Sequence, residues 1–157
     1  GKYAAFGSAA YLEGATTIQN STIVFNVGLW DDDAPTPPCE DRGALWSNAL
    51  TLHSTILASN TCTNGVGYDL GTDAPAIVGF GNLITRSNVA VPADTITADP
   101  RLAPLALNGG PSRTHMPLAD SPAIDHGYNV NQRAYDQRGP GFPRVKGPRP
   151  DIGSVER

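Results

Sequence analysis

The sequence predicts an all-β chain of stacked parallel coils closed by an irregular cap. Three observations predict it: an internal repeat, short β-branched runs joined by polar corners, and a lopsided placement of proline. Ser21-Thr22-Ile23-Val24-Phe25-Asn26 returns as Ser54-Thr55-Ile56-Leu57-Ala58-Ser59-Asn60, and a weaker third copy is Asn82-Leu83-Ile84-Thr85. Ala76-Ile77-Val78 precedes the third copy as Ala49-Leu50-Thr51 precedes the second. Aligned on these phrases, the copies are offset by 33 residues from Ser21 to Ser54 and by 27 from Ile56 to Leu83. Unequal spacing between similar strands means loops of different length on a constant cross-section. The extra residues fall in Trp30 to Arg42, where Asp31-Asp32-Asp33-Ala34-Pro35-Thr36-Pro37-Pro38-Cys39 reads as loop.

Within each copy the order is strand, corner, strand, as in Thr16-Thr17-Ile18, then Gln19-Asn20, then Thr22 to Phe25. One such coil cannot bury its inward side chains. Coils stacked about 4.8 Å apart bury Ile on Ile and pair every backbone group except at the two ends. A sandwich or propeller would need hairpin turns between the repeats; Asn64-Gly65 and Asn108-Gly109 occur, but the repeats lack them. Ten of the 14 prolines stand at or after Pro92, where they remove ladder donors. About three parallel coils are therefore expected over residues 10–88 and an irregular cap over 99–156, with residues 1–92 and 93–157 forming one structural domain.

Composition bounds the functional classes. A chain of 157 residues with 39% hydrophobic residues, 17 Gly and 14 Pro suits one domain of short strands. A net charge of −4 offers no footing for nucleic acid, and no apolar run approaches the roughly 20 residues of a membrane-spanning helix. Charge is uneven: Arg133 to Arg157 holds six basic and three acidic residues, against five and twelve before it, so the tail is expected to dock on the acidic body. Cys39 and Cys62 lack metal-type spacing, leaving one disulfide or two thiols. In the repeat register Cys62 maps near Leu29, at the corner left by the insertion carrying Cys39. A Cys39–Cys62 disulfide is therefore expected, and it would stabilise by about 3 kcal/mol.

Thr51-Leu52-His53-Ser54-Thr55-Ile56-Leu57-Ala58-Ser59-Asn60, with Asp69-Leu70-Gly71-Thr72 and Gly81-Asn82-Leu83-Ile84, resembles the last coils of bacterial right-handed parallel β-helix proteins. The continuation is more specific: Ala98-Asp99-Pro100-Arg101-Leu102-Ala103-Pro104-Leu105, Asn108-Gly109-Gly110-Pro111, Thr114-His115, Ser121-Pro122-Ala123-Ile124-Asp125-His126-Gly127, Asp136-Gln137-Arg138-Gly139 and Asp151-Ile152-Gly153. These motifs, in this order, resemble the closing module of the choice-of-anchor Q group. The resemblance covers residues 43 to 156. It implies export, a pectate-lyase-like right-handed parallel β-helix and, in many relatives, a sorting tail after the module; it does not imply catalysis.

Catalysis on such a fold needs clustered carboxylates, or a base beside calcium, on one strand surface. No carboxylate recurs in register; the outward positions hold Gln19, His53, Thr22 and Thr55. Asp31 and Asp33 are the only weak candidates for a cation, calcium, and no cofactor is expected. His53, His115 and His126 stand in no nucleophile or metal motif. Trp30, His53 and Trp46 form the candidate ligand-contact surface, although Trp46 in its strand-like run reads first as packing. Asp125, Asp136 and Asp151 sit in turn-rich sequence and read as carboxylates that accept backbone N–H bonds.

The expected function is that of a non-catalytic bacterial β-helix domain, secreted or at the cell surface, serving adhesion, glycan contact or closure of the stack. The rival is the C-terminal part of a polysaccharide lyase or glycoside hydrolase. Gly1 falls inside a strand-like pattern, so the first coil is expected to be covered by upstream coils of the same polypeptide or by another chain.

Overall fold

The computed structural model describes residues 9–28, 43–62, 67–72 and 76–157. The chain is all-β: eleven strands and no helix occur among the described residues. No helix there is long and apolar enough to cross a membrane.

The strands in chain order are β1 (Ala10–Gln19), β2 (Thr22–Val24), β3 (Val27–Gly28), β4 (Leu45–His53), β5 (Ile56–Ala58), β6 (Thr61–Cys62), β7 (Leu70–Gly71), β8 (Val78–Phe80), β9 (Leu83–Ile84), β10 (Ala106–Leu107) and β11 (Arg113–Thr114). Each stretch of the repeat pairs in parallel with the same stretch of the next copy. One sheet joins β1 to β4 and β4 to both β7 and β8; a second has the order β2-β5-β9; a third joins β3 to β6. After β9 the pairing thins to single parallel bridges, Leu70 with Ser87, Ala76 with Ala90 and Leu83 with Ile96.

The corners between strands repeat as faithfully as the strands. Asn20 (φ 46°) and Ser54 (φ 50°) turn the chain after β1 and β4, and Gly81 (φ 62°) turns it after β8. Phe25 (φ 58°) and Ser59 (φ 57°) turn it after β2 and β5. A left-handed residue between two extended runs makes a sharp bend; Asn20 tolerates it at modest cost, whereas Phe25, Ser54 and Ser59 hold it at about 1–2 kcal/mol each.

These corners correct the phrase alignment by one residue. Thr22 pairs with Ile56 and Ile23 with Leu57, an offset of 34, where the repeated Ser-Thr-Ile text suggests Ile23 with Ile56. Cys62 accordingly faces Gly28 and not Leu29, and the partner of Thr22 is Ile56 and not Thr55. The physical reason lies in buried polar groups. Asn60 receives hydrogen bonds on Oδ1 from the Asn26 backbone N–H (3.0 Å) and from Asn26 Nδ2 (2.9 Å), which holds the two asparagines side by side. A one-residue slip would turn Ile23 outward and break both bonds. The second interval keeps its 27-residue offset, with Ile56 on Leu83 and Thr51 on Val78.

Inward positions stack into columns: Ala10, Leu45 and Leu70; Thr16, Leu50 and Ile77; Ile23, Leu57 and Ile84. Leu45, Leu52, Leu57 and Leu70 are fully buried, each stabilising by about 1.5–3 kcal/mol. β5 is buried on both faces. Its outward Ile56 and Ala58 pack with Leu83 against Ala123 and Ile152 of the later chain. That chain, residues 93–157, carries only the short antiparallel ribbon β10–β11 and lies across the outer face of the second sheet.

Gly79 shows how closely the paired strands approach. It pairs with Leu52 at φ 129°, and a Cβ there would lie 1.7 Å from the Leu52 carbonyl oxygen. Gly79→Ala is expected to cost at least about 3 kcal/mol, through both the clash and the backbone angle. Chemical denaturation measures it, and a loss below about 1 kcal/mol would contradict the strand placement.

Candidate binding cleft between coil and cap

The later chain, residues 93–157, is held to the parallel sheets by polar contacts at the Ser54 corner and at Thr22 in β2. Gly153 N–H donates to the Ser54 carbonyl (2.8 Å), Tyr128 N–H to Ser54 Oγ (2.6 Å) and Ser154 N–H to Thr22 Oγ1 (3.0 Å). Gly153, at φ 104°, leaves no room for a side chain: a Cβ would lie 2.8 Å from Thr22 Oγ1 and 2.9 Å from Ile56 Cδ1.

Beneath these contacts lies a buried charge network. Residues 134–136 pair back on 142–144, through Asp136 N–H to the Phe142 carbonyl and Arg144 N–H to the Ala134 carbonyl (both 3.0 Å). That fold-back drives Arg144 inward until 2% of it is exposed. Its Nη2 donates to the Asp151 carbonyl (2.6 Å) and to Asn20 Oδ1 (3.2 Å) at the first corner. Its Nη1 lies 3.4 Å from Glu156 Oε1, and neither Nε nor Nη1 has a hydrogen-bond partner.

The carboxylates of the network are occupied. Asp136 takes the Arg138 guanidinium (2.6 Å) and the Glu156 and Arg138 backbone N–H groups. Asp151 accepts the backbone N–H of Asp125 on Oδ1 and of Arg157 on Oδ2. Asp125 itself turns the chain at φ 57°, and its carboxylate lies against Gly147. Glu156 Oε1 accepts the Asp151 N–H at 2.8 Å. Burial pushes the Glu156 carboxyl up to about 7, against the opposing pull of the Asp151 N–H and the Arg144 charge. Burial likewise lowers the Arg144 guanidinium despite three nearby carboxylates. Desolvation therefore outweighs pairing on both sides of this ion pair.

Between the first corner and the fold-back runs an open cleft of about 570 Å³. One wall is Gln19 to Ile23, the other Asn131, Arg133, Tyr135 and Gln137, and Arg144 contributes to its lining. The Arg133 backbone is clamped by Asn129, which accepts its N–H and donates to its carbonyl (both 2.9 Å). Tyr135 is 49% exposed.

The residues marked in the sequence are scattered. Trp30, Asp31, Asp33 and Cys39 lie outside the described residues. Cys62 is buried and disulfide-bonded. Trp46 is 6% exposed, with its ring stacked 4.7 Å from Tyr11, so the structure gives it a packed position rather than an open platform. His53 is half-buried, its ring 4.3 Å from Phe80 and its Nδ1 without a partner. His115 Nδ1 meets the Ala103 carbonyl at 2.8 Å, and His126 Nδ1 meets that of Ile124 at 2.6 Å. Among the described residues no three His, Cys, Asp or Glu side chains converge to hold a metal ion. The cleft itself escaped sequence reading, because its walls lie more than 100 residues apart; the odd-numbered polar series from Asn131 to Gln137 was the available signal.

Comparisons with protein-family models, with curated proteins and with solved structures find no match for this chain.

The raised Glu156 value sets a pH dependence. A folded value above the ordinary one of 4.5 means that the protonated form is favoured in the fold. The contribution is complete below about pH 4.5 and is lost as pH rises through about 7. Stability should therefore fall from pH 5 to 8, and Glu156→Gln should flatten that fall. Equal slopes in the two proteins would remove Glu156 as its source.

Proposed function

We infer that this chain is the closing portion of a secreted or cell-surface right-handed parallel β-helix of the choice-of-anchor Q type, working without catalysis. Its cap seals and locks the last coils, and its outer surface makes contacts for adhesion. The observation that carries this reading is the seating of Gly153 and Ser154 on Ser54 and Thr22. The cap is thereby tied at once to the Ser54 corner and to Thr22, which follows the Asn20 corner of the preceding copy. In-register parallel pairing with repeating left-handed corners supports the β-helix architecture. The disulfide at Cys62 supports an oxidising compartment.

Cover for the first strands, from upstream coils of the same polypeptide or from another chain, is part of the same reading. Among the described residues β1 and β2 stand at the ends of their sheets, and their inward Ile18 and Ile23 are half-buried where the equivalent Leu52 and Leu57 are buried. A further coil in the same register, from either source, would complete both columns.

Closure is tested at Gly153. Gly153→Val should wedge the cap off Thr22 and Ile56, exposing Ile56 and Ala58. Dye binding to apolar surface and self-association should rise, and the cap should become sensitive to protease before the coils do. A monomeric variant with unchanged proteolysis would contradict the sealing role.

A further inference from the structure

We propose that Asn108 is a deamidation site guarded by the fold. It stays an amide while the tip of the β10–β11 ribbon is docked; once the tip opens, conversion to aspartate or isoaspartate keeps it from docking again. Asn108-Gly109 follows β10 directly and begins the turn that returns the chain to β11. An Asn-Gly pair loses ammonia more readily than other pairs, because no side chain on the second residue obstructs the attack of its backbone nitrogen. In that step the Gly109 nitrogen bonds to Asn108 Cγ and gives up its proton, the bond from Cγ to Nδ2 breaks, and ammonia leaves a cyclic imide. Water then opens the ring at either carbonyl, giving aspartate or, with the main chain rerouted through the side chain, isoaspartate.

The docked tip withholds the amide from that attack. Asn108 is half-buried, and its Nδ2 donates backward to the Ala106 carbonyl (3.2 Å) and across the ribbon to the Thr114 carbonyl and Oγ1 (both 2.9 Å). Turning the carboxamide onto the Gly109 nitrogen breaks these contacts, and Thr114, 3% exposed, has little water to replace them. The tip is itself seated on the fold-back. Gly109, at φ 96°, lies against the Phe142 ring, where a Cβ would come within 2.5 Å of Cζ, and a Cβ on Gly110 would lie 2.6 Å from the Arg138 Cα. Arg138 stacks its guanidinium 4.2 Å from the centre of the same ring, and Gln137 Nε2 donates to Ser112 Oγ (3.1 Å). Either product spoils this seat. A carboxylate has no hydrogen to give, so at residue 108 it faces the Ala106 and Thr114 carbonyl oxygens with negative charge where an amide donor stood. Isoaspartate also lengthens the main chain by one methylene, beside a glycine that has no space for one.

The modification lies wholly within the later chain, so it stands or falls apart from the closing role tested at Gly153. The whole protein and a free peptide of residues 104–116 are incubated side by side at neutral pH. Deamidation at Asn108 is followed by mass after tryptic digestion, and an isoaspartate methyltransferase identifies the rearranged product. Asn64-Gly65, the other such pair, falls in a different tryptic peptide and is read separately. Asn108 should react at least about tenfold more slowly in the protein than in the peptide. Gly110→Ala, which presses the tip off Arg138, should recover most of the rate of its own matching peptide. Hydrogen exchange of Asn108→Asp should show protection reduced at least about tenfold over residues 104–116 and 136–144, with β4 and β5 unchanged. Any one of three results overturns the proposal: equal rates in protein and peptide, Gly110→Ala as slow as the parent, or Asn108→Asp protected as fully as the parent.

Discussion

Asn60 is the side chain on which the register of the parallel strands depends. It is 2% exposed and joins three successive parts of the chain. Its Nδ2 donates to the Ile23 carbonyl (3.0 Å) in the first coil and to Asp69 Oδ1 (2.8 Å) at the start of the third, while its Oδ1 receives Asn26. Asp69 in turn accepts the Asn60 N–H and the Thr85 hydroxyl. Asn82 repeats the device one corner away, accepting the Thr55 N–H and donating to the Leu52 carbonyl. Apolar columns resist a slip of one residue, which would turn their side chains outward, but not a slip of two, because Ile, Leu and Val are interchangeable neighbours. Buried amides resist both, since any shift leaves several donors and acceptors unmet.

Register then decides what the cap can do. With Thr22 beside Ile56, the outer face of the second sheet presents a hydroxyl next to an apolar surface, and the cap matches both. Ser154 N–H meets Thr22 Oγ1 while Ile152 and Ala123 cover Ile56 and Ala58. The ion network beneath is a weaker contributor to stability than its burial suggests. Burial disfavours the charged forms of both Arg144 and Glu156, so the pair contributes more to placement than to net free energy. Its placement of Arg144 links Asn20 at the first corner to the Asp151 carbonyl in the cap. The cleft exists because these two walls are held apart at a fixed distance.

Much of the parallel-strand region was legible because its signals are local. The β-branched runs, the 27-residue offset and the proline-poor stretch all lie within single repeats. The one-residue error in the first interval came from reading Ser-Thr-Ile as the repeated unit. The structural unit is instead corner to corner, Asn20 to Asn26 against Ser54 to Asn60, and both phrases do end on the paired asparagines. Asp136 and Asp151 were legible as acceptors of backbone N–H groups, since turn chemistry is also local. The burial of Arg144 and Glu156 was not legible. The basic, proline-rich tail reads as a segment docked on the acidic body by its charge, which does not tell which of its side chains the fold-back at Tyr135 and Pro143 turns inside. Trp46 reads first as packing from its strand-like run, and Tyr11 stacks on it; His53 stands in the candidate contact surface, and its neighbour Phe80, 27 residues later in the chain, is not visible from local sequence.

The most direct test of this account is equilibrium unfolding of Asn60→Ala. The substitution removes no apolar contact surface of consequence, yet strands the Ile23 carbonyl, the Asn26 amide groups and part of Asp69. The account predicts a loss of at least about 3 kcal/mol, with a broadened transition as the first coil separates from the second. A variant that unfolds within about 1 kcal/mol of the parent, in one equally sharp transition, would show that apolar stacking sets the register and that Asn60 does not.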